Sequence, residues 1–197
     1  MARNMQPVLK RCRTLGIDPS VMGIDKKSKR NPKPTRRKQS EYGLQLTEKQ
    51  KVKFIYGMLE KQFRKYYEMA VKMPGITGEN LLQILESRLD NVIFRLGLAN
   101  TRRESRQMVS HGHILVNGKR LDIPSYRVKV GDVITLKEST KSSERMKDIV
   151  EANSTRTVPK WLDMDKNTLT GKVIALAARE DIDFEVEEHL IVELYSK

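Results

Sequence analysis

The sequence predicts an α+β protein in three stretches: a basic, extended N-terminal arm, a run of helices, and a module in which a small, mainly antiparallel sheet packs on helices. Three observations carry this. Positive charge is concentrated at one end of the chain. Apolar residues recur at helical spacing through the second quarter, and an Asn-Gly pair lies between two short β-type runs.

Residues 1–40 hold twelve Lys and Arg, among them Arg3, Lys10, Arg11, Arg13, Arg36, Arg37 and Lys38, against Asp18 and Asp25, a local charge of +10. Pro7, Pro19, Pro32 and Pro34 interrupt the stretch, and no apolar period is sustained. A segment that buries little apolar surface does not offset its ordering entropy, so this arm is expected to be extended or disordered on its own. A solvated tail is the bland explanation. The run Lys33-Pro34-Thr35-Arg36-Arg37-Lys38 favours an arm that orders on RNA.

Thr47-Glu48-Lys49-Gln50 has the pattern of a capping box. Val52, Ile55, Tyr56, Leu59, Phe63 and Ala70 then follow at helical spacing and predict one long helix, with Lys49, Lys53, Lys61, Arg64 and Lys65 on its other face. Its aromatics suit a core better than a base-stacking platform. Met73-Pro74-Gly75-Ile76 ends it. Thr77 starts a second helix whose stripe runs Leu81, Leu85, Leu89, Val92, Leu96 to a stop at Gly97.

A third helix is expected from Thr101, where Thr101-Arg102-Arg103-Glu104 repeats the capping pattern, to His111-Gly112. It is dense in donors: Arg102, Arg103, Ser105, Arg106, Gln107 and Ser110. Arginines three and four apart share a helical face, and their planar forks suit phosphate oxygens. Met108 and Val109 remain to pack inward.

Asn117-Gly118 between Ile114-Leu115-Val116 and Lys119-Arg120-Leu121 predicts a hairpin, because a type I′ turn needs positive φ at both central residues. Tyr126 to Val130 alternates, Gly131-Asp132 turns, and Val133 to Leu136 runs back. Such a sheet would offer Lys119, Arg120, Arg127 and Lys129 beside the arginine-rich helix. Residues 138–157 read as a helical excursion or loop, and Pro159-Lys160-Trp161-Leu162 as an anchor. Ile182 to Glu187 alternates as a last strand, and His189 to Leu194 reads as a closing helix with Leu190, Ile191 and Leu194 inward. Residues 180–197 carry a net charge of −6 and would be repelled by phosphate, so this end is expected to face protein.

Over 197 residues the formal net charge is +13, with 38% apolar and 32% charged residues. A polyanion is the natural partner, since each phosphate neutralised releases condensed counterions. The single cysteine, Cys12, excludes an internal disulfide; it reads as an ordinary thiol in a basic arm, where Arg11 and Arg13 would favour its thiolate. No signal peptide is expected from the N-terminal residues, and no apolar run approaches the ~20 residues of a membrane helix. The expectation is a soluble, cytoplasmic protein.

The residues Ser87-Arg88-Leu89-Asp90-Asn91-Val92-Ile93-Phe94-Arg95-Leu96-Gly97, the run Thr101 to Lys119, and Gly131-Asp132 resemble the S-four RNA-binding domain. Met1-Ala2-Arg3, Tyr42-Gly43-Leu44-Gln45-Leu46, Gln62-Phe63-Arg64, Thr77-Gly78-Glu79-Asn80 and the terminal His189 to Lys197 extend the likeness over nearly the whole chain, to the bacterial-type small-subunit ribosomal protein S-four family. The resemblance implies an arm over 1–42 and a helical domain over 43–87 completed by the tail 188–197. It also implies an inserted α+β domain over 88–187, with the RNA-binding module at 88–150. It further implies a structural constituent of the small ribosomal subunit that binds a multi-helix junction in the 5′ domain of small-subunit rRNA and nucleates assembly of the body. Contact with ribosomal protein S-five, an influence on decoding accuracy and proximity to the mRNA entry path belong to the same implication. Some family members bind zinc through four N-terminal cysteines; with Cys12 alone, neither metal nor cofactor is expected here.

The same residues invite rival chemistries. The tetrad Ser87-Arg88-Leu89-Asp90 is similar to a short motif of pseudouridine synthases whose Asp is the nucleophile, but no room remains for a separate catalytic domain, so Asp90 is expected to be structural and no enzyme is predicted. His111 and His113 lie two apart as metal ligands can, yet no third ligand is evident and RNA contact is favoured. Tyr126 stacks on a base or packs inward; both readings stay open. The RNA-facing set is therefore completed by His111, His113, Asn117 and Tyr126, and a free RNA-binding factor acting on ribosomal complexes is the alternative within the same chemistry.

Overall fold

The computed structural model describes residues 7–26, 30 and 40–196, which divide into two compact units: residues 1–81 with 183–197, and residues 82–182. Arg3, Arg36, Arg37 and Lys38, and with them the whole basic run 33–38 expected to order on RNA, lie outside the described residues.

The first unit is helical. Helix α1 (Val8–Leu15) and a short 3-10 turn (Pro19–Met22) come from the stretch expected to be unstructured. Cys12, Leu15 and Met22 are all buried. Two buried side chains in α1 and one in the 3-10 turn give this short stretch an apolar face to pack, even where composition is strongly basic. Burial, and then the nearby Asp18, push the Cys12 thiol up rather than down. The expected thiolate is thus corrected: a buried sulfur meets the desolvation cost of an anion before it meets the arginines.

Helix α2 (Glu41–Ile55) starts at Ser40, whose hydroxyl accepts from the Gly43 N–H at 3.2 Å. Thr47 is inside the helix and donates to the Gly43 carbonyl at 2.7 Å, so the capping pattern there is coincidental. The long helix expected from Val52 to Ala70 is two: α2 ends at Tyr56-Gly57, with Gly57 at φ +63°, and α3 (Glu60–Val71) follows. Helix α4 (Thr77–Glu86) begins where expected. The Asn80 amide donates to the Pro74 carbonyl at 3.1 Å and holds the preceding turn. The last helix, α9 (Glu188–Ser196), packs on α2 with Ile191 fully buried. Residues 184–187 keep the alternating burial read from the sequence, with Phe184 and Val186 inward, but form no strand. Phe184 meets Tyr56 edge-on at 6.1 Å instead.

The second unit is the α+β part. Helix α5 (Leu89–Arg95) is separated from α4 by Ser87 and Arg88, the latter in extended conformation. Here the Tyr126–Val130 segment departs from expectation. It does not join the sheet. Leu89 N–H donates to the Tyr126 carbonyl and Val128 N–H to the Ser87 carbonyl, both at 2.8 Å, so the segment pairs with the break between the two helices. Helix α6 (Arg102–Ser110) follows. Strands β1 (Ile114–Val116) and β2 (Lys119–Arg120) form the expected hairpin, with Asn117 at φ +51° and Gly118 at +76°.

Strand β3 (Val133–Leu136) pairs with β1, and the polar stretch 138–157 becomes helices α7 (Glu138–Lys141) and α8 (Glu144–Ala152). Two further strands, β4 (Leu162–Asp165) and β5 (Thr170–Val173), were not anticipated. They complete an antiparallel five-stranded sheet in the order β2-β1-β3-β5-β4. One face of this sheet buries Ile114, Val116, Ile134, Leu136 and Val173 with Val92, Ile93, Val109 and Trp161 in a single core. Gly171 lets β5 approach Leu96; a Cβ there would collide with the leucine methyls.

Candidate nucleic-acid interface

Helix α6 organises the surface by its period. Arg102, Ser105, Met108 and Val109 face inward and are buried, while Arg103, Gln107, Ser110 and His111 are exposed on the opposite side. Thr101 caps the helix by accepting from Glu104 N–H at 3.2 Å, and the Glu104 carboxylate reaches one residue further back than expected, to Asn100 N–H at 3.0 Å. These bonds satisfy N-terminal donors and set where the helix starts.

A buried polar network underlies α6. Arg88 grips Asp90 through Nε at 3.0 Å and Nη2 at 2.6 Å, with both residues almost fully buried. Glu86 receives Arg95 at 3.1 and 2.9 Å and the Asn91 amide at 2.7 Å, while Asn91 accepts from Arg102 Nε at 2.8 Å. Ser105 Oγ donates to the Asp90 carbonyl oxygen at 2.6 Å, and Arg106 lies 3.7 Å from the Asp90 carboxylate. Charges this deep are tolerated only when paired and hydrogen-bonded; Arg88–Asp90 and Arg95–Glu86 meet this as ion pairs, and Arg102 is held by Asn91. The network ties α5 to α6 and so orients the exposed side of α6. Asp90 is structural, as expected. Arg102 and Ser105, however, were expected on the RNA-facing surface and are corrected: both are buried, and Arg102 also stacks on Phe94 at 4.3 Å. An amphipathic helix must turn some residues inward, and with only two large apolar side chains α6 turns an arginine and a serine.

The hairpin continues the surface. Arg120 lies directly against Gly112, where any Cβ would strike its guanidinium, so this cation is brought to the C-terminal end of α6. His111 and His113 stand 6.1 Å apart, and His113 Nδ1 is 2.9 Å from Thr140 Oγ1. At the other end of the hairpin the Asn117 amide donates to Asp132 at 2.9 Å, its oxygen accepts from Val133 N–H, and Asp132 accepts from Lys129 N–H. Asn117 and Asp132 thereby lock two turns together and present Lys119 and Lys129, both exposed, near the hairpin tip. Partial burial, and then the neighbouring Asp132, raise the Tyr126 hydroxyl above its ordinary value; half-buried, Tyr126 packs against the core.

In the helical unit the expected cations are largely engaged. Glu60 receives Lys49 at 2.7 Å and Lys53 at 2.8 Å, and the Tyr195 hydroxyl donates to it at 2.7 Å. Desolvation works against the charged carboxyl, but these three hydrogen bonds prevail and hold it at about 2. Tyr195 stacks on Tyr67 at 4.7 Å and lies beside Lys49, fixing the chain terminus on this cluster. Gln45 donates to Glu193 at 3.0 Å and Glu187 N–H to Glu48 at 3.3 Å, so the acidic end is received by the chain's own α2. Arg64 is exposed, 3.5 Å from Glu68. Lys10 is exposed, Arg11 reaches Gln50 at 3.4 Å, and Arg13 Nε donates to the Leu9 carbonyl at 3.3 Å. Arg127, offered with Lys129 by the alternating stretch, is exposed; Lys137, just past the Val133–Leu136 run, is exposed as well and was not singled out from the sequence.

Among the described residues no cluster of three or more metal-ligating side chains occurs, and no helix is long and apolar enough to cross a membrane. A cationic helix face joined to a hairpin over a rigid polar network defines a binding module, and the comparisons give its class. Residues 87–134 match the S4 domain and residues 3–86 match the family described as ribosomal protein S4/S9 N-terminal domain. The chain is 63% identical over its full length to the whole of a protein of Agathobacter rectalis named small ribosomal subunit protein uS4. It is similarly 60% and 54% identical, again over the whole of both chains, to proteins of that name from Lachnospira eligens and Halothermothrix orenii. The chain belongs to the uS4 family of small-subunit ribosomal proteins, a structural and non-enzymatic family.

Proposed function

We propose that this protein is a structural constituent of the small ribosomal subunit that grips a multi-helix junction in the 5′ domain of small-subunit rRNA and nucleates assembly of the subunit body. The observation that carries this reading is the exposure of Arg103, Gln107, Ser110 and His111 on one side of α6, with Arg120 of the hairpin brought against Gly112 at the end of that helix and Lys119 exposed next to it in the chain. A relief of cations and hydrogen-bonding groups of this kind meets phosphates and riboses of converging helices and reads shape rather than sequence. Arg106, His113, Lys129 and Tyr126 border it, and Lys10, Arg11, Arg13 and Arg64 add positive charge on the helical unit. Lys49 and Lys53 serve mainly the Glu60 cluster. In the same reading the domains follow 1–42, 43–87 with 188–197, and 88–187. Ribosomal protein S-five is the protein neighbour through which accuracy is influenced, near the mRNA entry path.

Hydroxyl-radical footprinting of small-subunit rRNA tests this. The wild-type chain should protect backbone riboses at one helical junction, and an Arg103→Ala/Lys119→Ala variant should lose part of that footprint while keeping its fold. Protection scattered over unrelated helices, or unchanged by the variant, would count against the reading.

A further inference from the structure

Between α6 and the α7–α8 pair, within the second unit, lies a cavity of about 350 Å³. Its floor is apolar, made by Met108, Met146 and Ile149, and its walls carry Gln107, His111 and Thr140. The volume falls at the lower end of the about 300–1,000 Å³ typical of small-molecule sites. We propose that this cavity receives one unstacked nucleobase of the RNA bound across α6. The proposal rests on the RNA-binding reading above and adds to it a place where a single base is held.

Four features point to a base. Gln107 and His111 belong both to the cavity wall and to the exposed side of α6, so RNA lying on that helix passes the opening. Two methionines and an isoleucine form a soft apolar floor that suits a planar ring, since thioethers are polarizable and adapt to flat aromatic faces. Amide, imidazole and hydroxyl groups above that floor can bond a base edge, which has donors and acceptors of both kinds. A phosphate is disfavoured, because the floor offers it no hydrogen bonds and the one arginine of the lining, Arg145, is already bonded to Glu104 at 2.7 Å. A paired base is held in its stack and cannot enter, so the occupant is a bulged or looped-out nucleotide.

Base-specific chemical modification of small-subunit rRNA in complex with the full chain tests this. Modification of Watson–Crick edges should be suppressed at one unpaired nucleotide in the wild-type complex. Photo-crosslinking should join that nucleotide to a peptide containing residues 107–113 or 140–149. In a Gln107→Ala/His111→Ala variant the same nucleotide should become reactive, with affinity lowered about tenfold, the scale of losing one or two hydrogen bonds to a base edge. If the variant binds less tightly but no base changes reactivity, the two residues contact only backbone and the cavity proposal fails. If crosslinks fall on other peptides it fails as well. Failure of the wild-type chain to bind small-subunit rRNA would instead overturn the reading on which the proposal stands, so the two failures are distinguishable.

Discussion

In residues 82–182, Arg88 with Asp90 and Arg95 with Glu86 form buried ion pairs and buried Arg102 bonds Asn91, whereas the helical unit keeps its main charge cluster, Lys49, Lys53 and Glu60, at a partly exposed surface. The same residue types serve different ends. In the buried network the charges fix helix positions and leave α6's other side clear for a partner. In the surface cluster they neutralise cations and anchor the chain terminus through Tyr195. A basic protein thus uses a good part of its arginine and lysine on itself, and what remains exposed is a better measure of its RNA surface than its composition.

The largest effect expected from breaking this contrast comes from Asp90→Ala. It leaves the buried Arg88 guanidinium uncompensated and should cost about 3–5 kcal/mol. Urea unfolding followed by the fluorescence of Trp161, the chain's one tryptophan and a residue of the second unit, reads that loss directly. A change below 1 kcal/mol would mean that the pair holds little. Adding volume to the same unit is next: Gly171→Ala drives a methyl into Leu96 and should cost about 1–3 kcal/mol in the same assay.

The surface cluster should respond more weakly and through pH. The folded Glu60 carboxyl, at about 2, lies below its ordinary 4.5, so its contribution is complete above about pH 4.5 and is lost as pH falls toward 2. Solvent screening at this exposed site limits it to about 1 kcal/mol. Hydrogen exchange of α3 and α9 amides measured across that window should show the acid loss in the wild type and a flatter response in Glu60→Gln. The smallest effect on stability, within about 0.5 kcal/mol, is expected for Arg103→Ala. Its effect belongs to binding: the slope of log K against log salt for small-subunit rRNA should shrink by about one, and an unchanged slope would remove Arg103 from the interface.

Local signals were legible where one short stretch decides the outcome. The Asn117-Gly118 turn, the Thr101 cap, the Gly97 and Gly112 stops and the closing helix after residue 187 are each set by backbone preferences of a few residues. Two breaks were not. Gly57 divides α2 from α3 and Arg88 divides α4 from α5, yet the apolar period runs through both, because each helix keeps buried apolar residues up to its end and the spacing along the chain does not register the bend. Strands β4 and β5 were missed because Leu162–Asp165 and Thr170–Val173 are short, polar at alternate positions and rich in turn-forming residues. Their pairing is supplied by β3 rather than by propensity. The Tyr126–Val130 alternation was read correctly as extended and wrongly as part of the sheet, since periodicity shows two faces without naming the neighbour.

What the sequence by itself determined is the chemistry available: a surplus of positive charge, an arginine-rich amphipathic helix next to a tight hairpin, and the resemblance that the comparisons bore out. Those follow from residue types and their spacing along the chain. Only the tertiary structure decided which cations are left to meet RNA. Arg102 and Arg103 are neighbours in sequence, about 100° apart on a helix. One is buried under Phe94 and Asn91, and the other stands in solvent. Burial is a property of what packs on each face, and that partner lies eleven residues away in the chain, on a helix whose own orientation is set by Arg88 and Asp90.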